Sequence, residues 1–148
     1  MTKDIETKKI PLIYFSLSTF LLAAGFLEYY FLRENNILIY KWFYFLPKNN
    51  NIITFSYASP LLDFLRYNLP DGLLLLSVLL FLRAIWYKDR KTFLIYKICI
   101  IFISFSLEIL QIFEKIPGTF DFFDLVTMGS IILLESIVHK ILMTRRRS

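Results

Sequence analysis

LPDGLLLLSVLLFLRAIWYKDRKTFLIYKICIIFISFSLEILQIF, residues 69–113, is two apolar runs parted only by Lys88-Asp89-Arg90-Lys91. An α-helix rises about 1.5 Å per residue, so about 20 residues cross the roughly 30 Å of hydrocarbon in a bilayer. Residues 69–87 and 93–113 both meet that requirement, and so short a link makes them antiparallel neighbours. Leu69-Pro70-Asp71-Gly72 opens the first run, with Pro near the first helical position and Asp in the first turn.

Outward from this pair, residues 10–32 and 122–143 are two more runs of spanning length. The expected fold is therefore all-α: an integral membrane four-helix bundle, up-down-up-down, forming one domain over residues 1–148. Hydrophobic residues make up 57% of the chain, and the four spans with their links consume nearly all of it. The first run reads as a permanent span, because it is long, follows a mixed-charge start, contains Glu28 and lacks a small-x-small cleavage site.

Charge sets the expected orientation. With both termini in the cytoplasm, Lys3, Lys8, Lys9, Arg83, Lys88, Arg90, Lys91, Lys97, Lys140 and Arg145 to Arg147 fall inside, while Arg33, Lys41, Lys48, Arg66 and Lys115 fall outside. That division is 12 against 5 of the 17 basic residues, a bias of the kind that orients proteins in a cytoplasmic (inner) membrane. The acids run the other way. Glu28, Glu34, Asp63, Asp71, Glu108, Glu114, Asp121 and Asp124 lie at or near the outer boundary, against Asp4, Glu6 and Asp89 inside. The net charge of +5 points to anionic membrane lipids rather than nucleic acid, because the bases flank spans. A lone Cys99 forms no intramolecular disulfide and no Cys-based metal site, and a lone His139 reads as structural.

Residues 33–68 are too many for a tight turn. Their middle, residues 37–46 with Trp42, Phe43, Tyr44 and Phe45, is too apolar for water and too short to span, so an interfacial loop or helix is expected between helices one and two. Residues 60–67 form a second short amphipathic piece. In the first span, residues 24, 25 and 28 of Ala23-Ala24-Gly25 and Glu28 share a face. Small residues let helix backbones approach closely in lipid, so this face is expected to pack inward with Glu28 on it.

Candidate chemistry gathers at the outer ends of the helices. Glu108 and Gln111 point the same way, and Ser104 continues that face. Glu108 lies within an apolar segment and near a helix C-terminus, where the macrodipole disfavours an anion. Asp121 and Asp124 open the last helix, where binding free backbone N–H groups is the plain explanation, as it is for Asp71. With Glu28 they share one membrane level. The expected site is an outward-facing acidic pocket of Glu108, Gln111, Asp121, Asp124, Asp71 and Glu28. No catalytic residue and no cofactor is assigned; a divalent cation is a candidate bridge from the acids to a phosphate, since carboxylates suit Mg²⁺ or Ca²⁺. Glu135, roughly 16 Å deeper on nearly the same face as Asp124, either packs or takes part in a proton or cation relay.

Leu107-Glu108-Ile109-Leu110-Gln111, a short loop, and Gly118-Thr119-Phe120-Asp121-Phe122-Phe123-Asp124-Leu125 resemble the C-terminal half of VanZ-like proteins. These are small polytopic membrane proteins with Glu-x-x-Gln at the end of one span and an aspartate-rich start to the next. The chain departs from the family pattern at Lys115 and Gly118, where a loop Arg is usual, at Met128 and Ile131, where Asn and Gly are usual, and at Asp71, which lacks the accompanying His. The resemblance implies the cell envelope as compartment and brings no agreed reaction. It fits a multi-pass protein that binds or handles an amphipathic or lipid-linked envelope precursor. The alternatives are a non-catalytic subunit or scaffold whose acids and aromatic loop dock a membrane protein partner, and a membrane-embedded hydrolase or transferase in which Glu108 is the one candidate base.

Overall fold

The computed structural model describes residues 2–32, 60–113 and 120–145; the interfacial segment expected at 37–46 and the link at 114–119 lie outside the described residues. Regular structure among them is helical throughout: α1 (Thr2–Leu32), α2 (Pro60–Tyr67), α3 (Leu69–Ile85), α4 (Arg90–Ile112) and α5 (Phe122–Arg145). The four apolar runs are the four long helices, with shifted ends. α1 starts at Thr2 and carries Pro11 inside it, eight residues ahead of the expected start at 10. α4 starts at Arg90 because Asp89 caps it: Oδ1 accepts from the backbone N of Lys91 and of Thr92, each at 3.1 Å, and Oδ2 accepts from the Thr92 hydroxyl at 2.6 Å. The Thr92 hydroxyl first, and then the backbone amides, hold the Asp89 carboxyl below the usual carboxylate range. What this cap contributes is therefore present above the ordinary carboxylate pKa and fades as pH falls through the lowered folded value.

Three segments, Lys9–Glu28, Arg90–Ile112 and Phe122–Ile141, are long and apolar enough to cross a membrane. The fourth expected span ends at Ile85 rather than 87. With 17 residues, α3 rises about 25 Å, the lower edge of what a span requires. Its place is internal. α1, α2, α4 and α5 all pack against α3, which buries Leu75, Leu76, Ser77, Leu79 and Leu80. α3 is thus the central helix against which the others pack.

Helix directions alternate as the short links require. Gly25 lies against Leu73 and Leu74, Ser18 against Ser77 and Phe15 against Phe81, so α1 runs antiparallel to α3. Gly72 meets Thr127 and Ile131, and Arg83 meets Glu135, so α3 and α5 run parallel. Close approach comes from small residues. Ser18 Oγ donates to the Ser77 carbonyl at 2.8 Å, and Gly25 packs inward as the Ala23-Ala24-Gly25 patch suggested. At the α3–α5 crossing a Cβ on Gly72 would stand 2.7 Å from Thr127 Cγ2.

The polarity is that of a protein in hydrocarbon. Phe102 is 71% exposed and Phe20 69%, whereas Ser18, Ser77, Asn68 and Glu135 are buried. So much exposed apolar surface is foreign to a water-soluble monomer and suits lipid.

The Gly72 crossing yields a direct expectation. Gly72→Ala should destabilise the protein by about 1–3 kcal/mol through overpacking against the stiff Thr127 side chain. Adding Thr127→Ser, which removes the opposing methyl, should restore most of the loss in unfolding measurements in lipid discs. A neutral Gly72→Ala would contradict the close approach.

Candidate functional site

At the N-terminal ends of α3 and α5 the structure gathers two of the expected acids on a residue that sequence analysis passed over. Asn68 precedes α3 but makes no side-chain cap to it. Its Nδ2 instead donates to Asp124 Oδ1 at 2.7 Å and to Asp121 Oδ2 at 3.2 Å, with Asn68 itself only 4% exposed. Asp121 also caps α5, since its Oδ1 accepts from the Phe123 backbone N at 2.9 Å. Capping therefore accounts for one oxygen of Asp121, and the Asn68 bridge engages the other. Thr127, one turn beyond Asp124, is buried, and its Oγ1 finds no hydrogen-bond partner among the described residues.

The remaining members of the expected pocket are placed as follows. Glu108 is buried, and with Phe93 it makes up all that α4 buries among the described residues. Gln111, Asp71 and Glu28 are half-buried, and Glu28 Oε2 is enclosed without a hydrogen-bond partner among the described residues. Asp121 and Asp124 are joined through Asn68, while Glu108 and Gln111 lie on α4, Asp71 on α3 and Glu28 on α1.

A second polar cluster lies at the opposite level, and it was legible only in part. Glu135 is completely buried. Arg83 donates to its Oε1 from Nε at 2.8 Å and from Nη2 at 2.6 Å, and Lys97 Nζ donates to Oε2 at 2.6 Å. One carboxylate thus joins α3, α4 and α5. The Arg83 guanidinium also lies 3.7 Å from the centre of the buried Phe93 ring. Arg83 and Lys97 count as cytoplasmic flanking bases in sequence, yet each falls inside an apolar run, and so does Glu135. Three charges inside three separate apolar runs are the signal that points to pairing. Both carboxylate oxygens of Glu135 are thus engaged by cations of neighbouring helices.

One turn further along α5, His139 Nδ1 is 2.9 Å from the hydroxyl of Tyr14, whose side chain is completely buried. That bond adds α1 to the same level. No family model, curated protein or solved structure matches this chain.

Removing one partner of a buried ion pair leaves the other uncompensated. Glu135→Gln should therefore lower stability by about 3–5 kcal/mol. Lys91→Gln, which alters an exposed side chain at the same end of α4, should stay within about 0.5 kcal/mol. Equal small effects from both in thermal unfolding would contradict the buried cluster.

Proposed function

We propose that this chain is a multi-pass protein of the cytoplasmic membrane and cell envelope, similar in kind to the VanZ-like proteins, that holds the polar head of an amphipathic, lipid-linked component at its outer end. The observation that carries this reading is the Asn68 bridge between Asp121 and Asp124. Both carboxylates are held as acceptors at the N-terminus of α5, one by a cap and both by the amide, which is an arrangement suited to binding more than to turnover. Acceptors of this kind take amines and sugar hydroxyls directly, and a phosphate through a divalent cation. The buried Thr127 hydroxyl lies on the same helix face as Asp124.

A second reading has its own support. α4 buries only Phe93 and Glu108 among the described residues and leaves Ile98, Phe102 and Ile109 exposed. A helix so sparsely covered fits a subunit that packs against another membrane protein.

Orientation is tested with single cysteines in a Cys99→Ser background. Cysteines at Asn50 and Thr119 should react with an impermeant reagent in intact cells, and cysteines at Lys91 and Ser148 only after the membrane is opened. The reversed pattern would remove the outward placement of the acids. Ligand handling is tested by mass spectrometry of lipids that co-purify in native membrane discs. Asn68→Ala and Glu108→Gln should each deplete a lipid-linked species, with Glu108→Gln leaving the melting temperature within error. Undiminished recovery from both variants would return the acids to structural duty.

A further inference from the structure

Among the described residues, the cluster around Glu135 sets two cations against one carboxylate. Arg83 from α3 and Lys97 from α4 share one acid from α5. Among the described residues, the other polar groups at this level are Tyr14 from α1, Tyr87 beyond α3, and Ser136 and His139 from α5, and none of them supplies an anion. The ring of Phe93 covers one face of the guanidinium, which softens the surplus without cancelling it. Donors are also left over. Of the five N–H groups of Arg83, those on Nε and one on Nη2 reach Glu135; Lys97 Nζ spends one on Glu135 and directs another at Ser136 Oγ, 3.4 Å away. Neither side chain is sealed: Arg83 is 13% exposed and Lys97 12%.

The level of the cluster says which anion is at hand. Trp86 stacks on Tyr96 with ring centroids 5.7 Å apart, an aromatic pair of the kind that sits at a headgroup boundary. Arg83 lies three residues before Trp86, about 4.5 Å deeper, and Lys97 directly follows Tyr96. Lys88, Arg90 and Lys91 are exposed just beyond, which concentrates anions at this face.

We propose that Arg83 and Lys97 form an interhelical site for a phosphate oxyanion, and that its occupant is the phosphodiester headgroup of an anionic membrane lipid. The phosphate takes the N–H groups of Arg83 and Lys97 that, among the described residues, are not spent on Glu135 or Ser136, and it adds to the charge balance that Glu135 begins. The site is independent of the outer Asn68 cluster and of the function proposed for it.

The test uses the full chain in phosphatidylcholine discs with an increasing mole fraction of phosphatidylglycerol, reading the melting temperature. A ligand that binds only the folded state raises it. The wild type should be stabilised by phosphatidylglycerol. In Lys97→Gln the mole fraction needed for half the effect should rise about fivefold or more, whereas Lys91→Gln should leave it unchanged. A response identical in wild type and Lys97→Gln overturns the site, and so does an equal change in Lys91→Gln, which would mark diffuse surface attraction. Inorganic phosphate in pure phosphatidylcholine discs should give no stabilisation. If it stabilises wild type and not Lys97→Gln, the lipid is overturned as occupant in favour of free phosphate. Should Lys97→Gln fail to fold, Glu135→Gln decides: with the competing carboxylate charge gone, half the effect should come at a lower phosphatidylglycerol fraction, and an unchanged or higher one overturns the proposal.

Discussion

A carboxylate inside hydrocarbon has to be neutralised where it stands, and Glu135 is neutralised by cations from two other helices. That requirement fixes more than one pair. It sets the axial register of α3 against α5 through Arg83 and the rotation of α4 through Lys97. Of the residues of α4, only Phe93, stacked under Arg83, and Glu108 are buried, with Ile100 and Phe105 packed more loosely against the core. One turn away, the bond between Tyr14 and His139 brings α1 to the same level. The four long helices are tied together at one height by polar contacts, in a medium that offers no hydrophobic drive between helices.

The opposite end of the bundle is organised by opposite charge. α3 and α5 run parallel, so their N-termini share one level, where Asp71, Asp121 and Asp124 meet the positive ends of two helix dipoles. Arg83 lies in the last turn of α3, where a cation is favoured. Between these levels the two helices touch at Gly72, with Leu79 and Leu80 of α3 completely buried further along. An acidic cluster at one level and a cationic one at the other, joined by a parallel pair of helices, give the molecule two polar levels of opposite charge.

Much of the architecture could be read from residue order alone, and what could not has specific physical reasons. Apolar length located the four long helices, and the Ala23-Ala24-Gly25 patch marked an inward face because only small residues allow close approach. Run length does not say which helix the others surround, so the central place of α3 was hidden. Arg83 and Lys97 passed for flanking bases because long cationic side chains near the ends of a span ordinarily reach the headgroups. Glu135 stood out as an acid in an apolar run, but its partners depend on the rotation of three helices. Asn68 was missed because Asn before a helix is ordinarily its cap, whereas here the amide crosses to α5. The capping role of Asp121 was anticipated, and so was the burial of Glu108.

The shared carboxylate is tested most directly by a double-mutant cycle on Arg83→Leu and Glu135→Leu, with unfolding free energies measured in lipid discs. Two groups that neutralise each other inside the bundle should show an interaction energy of about 1 kcal/mol or more, with the double variant more stable than the sum of the single losses predicts. Losses that add to within about 0.3 kcal/mol would mean that Arg83 and Glu135 act independently, which contradicts the pairing on which the arrangement of α3, α4 and α5 rests.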